Sequence, residues 1–328
     1  MDDSIISNIG EFELIRQLTG NIRYTQDVIT GIGDDAAVIK IDNKEYLLIT
    51  TDILIEDVHF TIPGISAYQL GWKAIAVNIS DIAAMGGYPA WTVISIGLPS
   101  KIYTEFVKEL YTGVEDICRK YNVQLVGGDT SSSEKIIISI TIVGKVRPEH
   151  LVCRCNANID DLVVVTYTIG DAGIGLYALK QNLNSEIAQQ MIKKHLQPIP
   201  RIEEAHKIIT VLSPTAMIDI SDGLASEIYH ICNSSKVGVE IYYNKIPVSE
   251  AMIEVAHELG KDPLNIAFSS GEDYELLFTI PPQKAKLIDR TGIPLTIIGT
   301  IKDIDYGYKL IRPEGTVEKF IPCGYKHF

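Results

Sequence analysis

The sequence predicts an α/β (α+β) chain in two domains, and three observations carry that prediction. Apolar runs alternating every second residue and apolar stripes at spacings of three and four follow one another along the chain, so strands and helices are mixed throughout. At 328 residues the chain is longer than one hydrophobic core usually grows. The pattern also breaks around 147–158, where Pro148 precedes a polar stretch ending in Asn156 to Asp161. The division is placed at 1–148 and 149–328.

Hydrophobic residues make up 46% and charged residues 22%, the proportions of a soluble globular protein. No apolar run approaches the ~18 residues of a membrane span. The formal charge of −13 argues against a nucleic-acid or anionic-membrane surface, where Lys and Arg must neutralise phosphates. It does not argue against a small phosphate ligand held through divalent ions, a route that would enrich Asp. Acids stand at the N-terminus where a signal peptide would be basic, so a cytoplasmic location is expected. Five scattered cysteines, with Cys153-Arg-Cys155 as the one close pair, favour reduced thiols over a disulfide framework or a metal site.

In chain order, Gly10 to Leu18 reads as a short amphipathic helix with Phe12, Ile15 and Leu18 inward. A glycine turn with two adjacent acids, Asp34 and Asp35, then leads into an apolar run. Glu45 to Thr50 reads as a strand ending in Thr51-Asp52, with Asp57, His59 and Phe60 in the loop beyond. From Trp72, a buried helix places Ile75, Ala76, Ile79, Ile82 and Ala83 on its apolar stripe and stops at Gly86-Gly87. Trp91 to Leu98 is a strand, Lys101 to Tyr121 a charged amphipathic helix, and Val123 to Val126 a strand that stops at Gly127-Gly128-Asp129. Ile136 to Val146 is a β-branched strand. In the second half, Leu162 to Thr166 is a strand, Gly170 to Gly175 opens a helix, and His195 to Arg201 is a proline-rich connector. Met217 to Ile220 meets Ser221-Asp222-Gly223 at a helix start, and a second glycine turn through Glu272 and Asp273 precedes a strand from Tyr274 to Ile280. Two further strands, Ile297 to Ile301 and Tyr308 to Ile311, lead to the tail.

The chemistry lies in the aspartates. Asp81 interrupts an apolar helix, where an unpaired carboxylate costs several kcal/mol, so it needs a cap, a salt bridge or a metal. Asp34, Asp35, Asp52, Asp129, Asp219 and Asp222 each stand where an apolar run meets a turn. Singly, each is an ordinary turn or cap residue. Gathered in one pocket at ~4 Å spacing, they would repel by roughly 4 kcal/mol per pair at a dielectric of about 20, which divalent cations would relieve. Oxygen donors with little His or Cys favour magnesium over zinc. Gly173-x-Gly175-x-x-Ala178 follows a strand, but the acid that a dinucleotide site needs about twenty residues later is missing, and no P-loop is present.

Taken as motifs, GIGDDAAVI, TTDILIEDVHF, KAIAVNISDIAAMGGYPAW, VGGDT, IDISDGL, SSGEDYEL and GYKHF run in order from residue 31 to the C-terminus. They closely resemble the thiamine-monophosphate kinases, a branch of the aminoimidazole ribonucleotide synthetase superfamily. The resemblance implies that superfamily's two-domain fold, with an N-terminal sheet forming a barrel across a homodimer and a C-terminal α/β domain. It implies ATP-dependent phosphorylation of thiamine monophosphate to thiamine diphosphate. Another ATP-dependent reaction of the superfamily, activating an amide or small-anion oxygen as a phosphate, is the alternative. Carried over residue by residue, Asp35, Thr50, Thr51, Asp52, Asp81, Asp129, Asp219 and Asp222 match magnesium ligands, with Asp35, Asp52, Asp81, Asp129 and Asp219 acting in catalysis through metal. Gly128, Asp129, Arg154 and Ser221 match ATP contacts, with Arg147 as the alternative to Arg154. His59, Glu272 and Tyr325 match the positions holding the thiamine phosphate.

Overall fold

The computed structural model describes residues 9–320 and Gly324, so Tyr325, expected on the substrate, lies outside the described residues. Two sheets carry the chain. The first joins β1 (Val28–Thr30), β2 (Ala37–Lys40), β3 (Tyr46–Ile55), β4 (Tyr88–Leu98), β5 (Gln124–Ser132) and β6 (Ile137–Val146) in the order β1-β2-β3-β6-β4-β5. Its pairings are antiparallel except for β4 with β5.

Between strands run α1 (Glu11–Thr19), α2 (Ala67–Ala84) and α3 (Thr104–Tyr121). Helix α2 begins five residues before the expected Trp72, because Ser66 caps it: Gln69 N–H donates to Ser66 Oγ while Ser66 N–H donates to Gln69 Oε1. Fourteen of its eighteen residues are buried. It lies on the inner face of the sheet against Leu48, Leu54, Ile138, Ile140 and Ile142. Its other side meets α3, and the two backbones pass at glycines: a Cβ on Gly71 would lie 2.0 Å from Leu110 O, and one on Gly113 2.0 Å from Tyr68 O. Helix α1 forms as expected, but Ile15 and Leu18 remain exposed and outside the core.

Strands β3 and β5 both run past their expected ends. β3 continues through Thr51-Asp52 to Ile55 because it pairs with β6 at all ten positions, which places Thr50, Thr51 and Asp52 mid-strand. β5 continues through Gly127-Gly128-Asp129 beside β4, and a Cβ on Gly128 would lie 1.9 Å from Ile94 O, so glycine here permits close strand approach instead of a turn.

The second sheet joins β7 (Leu162–Thr166), β8 (Ala216–Asp219), β9 (Gly238–Tyr242), β10 (Leu276–Ile280), β11 (Leu295–Lys302), β12 (Tyr308–Ile311) and β13 (Val317–Lys319) in the order β13-β12-β9-β11-β7-β10-β8. Only β12 with β9 is parallel among these pairs. Its helices are α4 (Asp171–Lys180), α5 (Glu186–Leu196), α6 (Ile202–Leu212), α7 (Leu224–Ser235), α8 (Glu250–Glu258) and α9 (Pro263–Ser269). His195, expected in a connector, sits in the last turn of α5. Helix α2 also packs on α6 and β8, so one helix is shared by both sheets.

Because Gly71 meets backbone and not a flexible side chain, Gly71→Val is expected to destabilise the fold by about 3 kcal/mol or more. Urea unfolding checks this, and a wild-type midpoint would contradict the crossing.

Candidate active site

The site forms where α2, the Gly33–Asp35 turn and the end of β8 meet. Asp81 faces β3, where Thr50 Oγ1 donates to its Oδ2 at 2.5 Å. One residue earlier on the helix, Ser80 Oγ donates to Asp219 Oδ2 at 2.5 Å, tying α2 to the last residue of β8. Asp35 follows Gly33, whose φ of 116° lets the chain turn into β2. Carboxylate oxygens of Asp35, Asp81 and Asp219 all lie within 4.8 Å of one another. At that separation and an effective dielectric of about 20, each ionised pair repels by about 3.5 kcal/mol.

The carboxyl pKa values follow from burial first and from this crowding second. Burial, then Asp52, Asp219 and Asp35, hold Asp81 well above the usual carboxylate range, against the Thr50 hydrogen bond. Burial and Asp35 push Asp219 up to about 8. Asp52 rises to about 6 through burial, Asp222 and Asp35. Asp35 is raised by burial although Arg154 opposes the shift. The Arg154 guanidinium pairs with Asp35 Oδ1, and its backbone N–H bonds both oxygens of Asp34. Asp35 Oδ2 is buried with no hydrogen-bond partner. Hard oxygen donors, an orphaned carboxylate oxygen and protonation forced by crowding together make a fit for a divalent cation.

Not every expected residue joins this group. Thr51 projects to the opposite face from Thr50 and Asp52, as strand geometry requires, and its hydroxyl bonds Ile140 O at 2.9 Å. Its side chain is therefore no ligand in this pocket. Asp129 is also displaced: Asp52 is in register with Ile140, Ile94 and then Gly128, so Asp129 stands three strands from Asp52, roughly 14 Å at strand spacing. Gly128 shares that exposed strand. The Nδ1 of His59 is spent accepting from Ile55 N–H at 2.9 Å. Ser221 and Asp222 form the turn after β8, where Glu227 Oε1 accepts from Asp222 N–H at 2.9 Å and from Ser221 Oγ at 3.4 Å. Gly324 lies on this turn, since a Cβ there would be 2.4 Å from Asp222 O.

Glu272 is not a free carboxylate. Lys73 Nζ lies 2.7 Å from its Oε1, and His195 Nδ1 approaches Oε2 at 2.9 Å without hydrogen-bond alignment. Burial would raise the Glu272 pKa, but Lys73 and then His195 outweigh it and hold the group below the usual range. Lys73, Glu227 and Tyr274 are not singled out in the sequence, and Ser80 stands out only as a polar interruption of the apolar helix. Tyr274 is buried, and burial followed by Glu272, Asp52, Asp219 and Asp81 raises its phenol pKa, which places it beside the acids. A lysine inside an apolar helical run is the signal that could have found Lys73.

Known proteins resemble this chain along nearly its whole length. The AIR synthase related protein N-terminal domain matches residues 33–146 and the corresponding C-terminal domain matches 158–308. The thiamine-monophosphate kinase of Buchnera aphidicola subsp. Acyrthosiphon pisum (strain APS) is 40% identical over 326 residues, covering 97% of this chain and 98% of that protein. That of Aquifex aeolicus (strain VF5) is 36% identical over 325 residues, covering 98% and 99%. A solved structure described as "AaThiL complexed with AMPPCP and TMP" is 35% identical with a TM-score of 0.89, covering 100% of both chains.

A raised folded-state carboxyl pKa stabilises the fold below the unfolded value and loses that contribution as pH rises through the folded value. With Asp52 at about 6 and Asp219 at about 8, protein kept free of divalent ions is expected to lose thermal stability steadily from pH 5 to pH 8. Melting in EDTA checks this; a midpoint that is flat or rises over that range contradicts the crowding.

Proposed function

This chain belongs to the thiamine-monophosphate kinase family of AIR synthase related proteins, and from that membership we propose that it phosphorylates thiamine monophosphate with ATP, giving thiamine diphosphate and ADP. The observation that carries the reading is the meeting of Asp35, Asp81 and Asp219, from three distant segments, in a chain matching these kinases over nearly its whole length. An oxygen of the acceptor phosphate attacks the γ-phosphorus in line while the bond to the β,γ-bridging oxygen breaks. The acceptor is already ionised at neutral pH, so no residue need remove a proton; what must be overcome is repulsion between two polyanions.

The residues divide that task. Asp35, Asp81 and Asp219, with Asp52 and Asp222 beside them, would hold magnesium. When bound, the metal would neutralise phosphate oxygens and favour in-line geometry. Thr50 and Ser80 orient Asp81 and Asp219. Arg154 keeps 20% of its side-chain surface open while paired with Asp35, which supports its assignment to ATP together with Ser221. Gly128 and Asp129 are kept as nucleotide contacts, with Asp129 outside the carboxylate group proper. His59 and Tyr325 remain assigned to the acceptor by resemblance, with Glu272 acting from its ion pair.

We place the domain division at 148/149, supported by a separate sheet on either side. A homodimer pairing N-terminal sheets is supported by the open face of the first sheet, where Ile49, Ile53 and Val93 are exposed, and by β5, which is exposed throughout. A cytoplasmic location is supported by the free thiols of Cys118, Cys153, Cys155 and Cys232. No helix among the described residues is long and apolar enough to cross a membrane.

A coupled assay with ATP, magnesium and thiamine monophosphate is expected to release ADP. Asp219→Asn is expected to reduce kcat about 10²- to 10³-fold in folded protein. ADP release that is absent with this acceptor but appears with an amide or small anion would redirect the assignment within the superfamily.

A further inference from the structure

Among the largest fully buried side chains in the described molecule is that of a lysine. Lys73 lies on α2 seven residues before Ser80, two helical turns away on the same face, and its side chain is 2% exposed. Its ammonium reaches into the second sheet's layer and meets Glu272. The loop that carries Glu272 is held in an unusual backbone: φ is +67° at Glu272 and +52° at Tyr274, a region L side chains seldom adopt. That loop lies directly on the Asp219–Asp222 turn. Glu272 N–H donates to Ser221 O at 2.7 Å, Tyr274 N–H to Ile220 O at 2.9 Å, and a Cβ on Gly271 would stand 2.1 Å from Ser221 O. Helix α2 thus grips the second sheet's layer twice, through Ser80 on Asp219 and through Lys73 on Glu272.

The charges balance within the protein. His195 faces the same carboxylate, and burial followed by the Lys73 ammonium lowers its pKa, so Lys73 is the principal cation answering Glu272. Glu272 keeps 28% of its side-chain surface open toward solvent while its charge is already matched from inside.

We propose that Lys73 is a positioning residue for the acceptor substrate: by pairing with Glu272 in the interior it locks the 270–274 loop against the Asp219–Asp222 turn. The acceptor pocket is then shaped by a fixed, charge-balanced carboxylate and not by a free one attracting the cationic ring. The inference rests on the kinase reading above.

The experiment uses the full chain and the variants Lys73→Met, Glu272→Gln and their double. In urea unfolding, the double variant is expected to be at least tenfold more stable, in unfolding constant, than the sum of the single losses predicts; coupling below twofold overturns the proposal. In steady-state kinetics, Lys73→Met is expected to raise KM for thiamine monophosphate at least tenfold and leave KM for ATP within twofold. The double variant is expected to recover stability without recovering that KM. A fall in kcat with both KM values unchanged, or full kinetic recovery in the double variant, marks a purely structural pair and overturns the proposal. Should Lys73→Met fail to fold, Lys73→Gln, which keeps a donor for Glu272, carries the same test. If the wild-type chain leaves thiamine monophosphate unphosphorylated, the kinase reading fails and the proposal falls with it. If the wild type turns over and the variant KM is unchanged, the proposal falls alone.

Discussion

Repulsion among buried carboxylates is the constraint around which this molecule is arranged. Three aspartates with oxygens within 4.8 Å of one another are costly to ionise together, and burial alone already raises each of their pKa values. The protein offsets this only in part, with Thr50 on Asp81, Ser80 on Asp219 and Arg154 on Asp35. What remains is a deficit of positive charge facing an orphaned Asp35 oxygen. Such a pocket is unfavourable as pure structure and useful as a seat for divalent cations carrying phosphates.

Everything else in the fold serves to keep that arrangement rigid. Helix α2 is buried on nearly every side because it is the element both sheets share, and its capping box and close glycine crossing with α3 leave it little freedom. A helix held this firmly presents Lys73, Ser80 and Asp81 with defined rotation and height. The turn after β8 is fixed from beneath by Glu227 and from above by the glycine loop. Preorganisation of this kind removes the cost of assembling charges at the moment of reaction.

Much of this was readable from the residues. The apolar stripe from Trp72 onward marked α2, and an aspartate inside it demanded a partner. Of the acids marked where apolar runs meet turns, Asp35 and Asp219 do come together with Asp81, although not all of the marked acids stand at strand ends. Both sheets are mostly antiparallel, and Asp52 and Asp129 lie mid-strand, where ladder pairing with β6 and β4 overrode the local turn signal of Gly127-Gly128. Thr51 stands on the other face from Thr50 and Asp52 because a strand alternates, which adjacency in a motif does not show. The ion pair of Lys73 with Glu272 joins residues nearly two hundred positions apart, and nothing in either segment names the other. The strand at Gly238–Tyr242 and the helices at Glu250–Glu258 and Pro263–Ser269 were passed over, being short and of mixed pattern.

The central claim is that burial and crowding keep protons on these carboxylates until a divalent cation replaces them. Calorimetric titration of the metal-free chain with magnesium and a non-hydrolysable ATP analogue, in buffers of different ionisation enthalpy at pH 7, counts those protons directly. The account predicts net release of about one proton or more, reduced in Asp219→Asn. Binding with no proton released, and unchanged by that substitution, would contradict it.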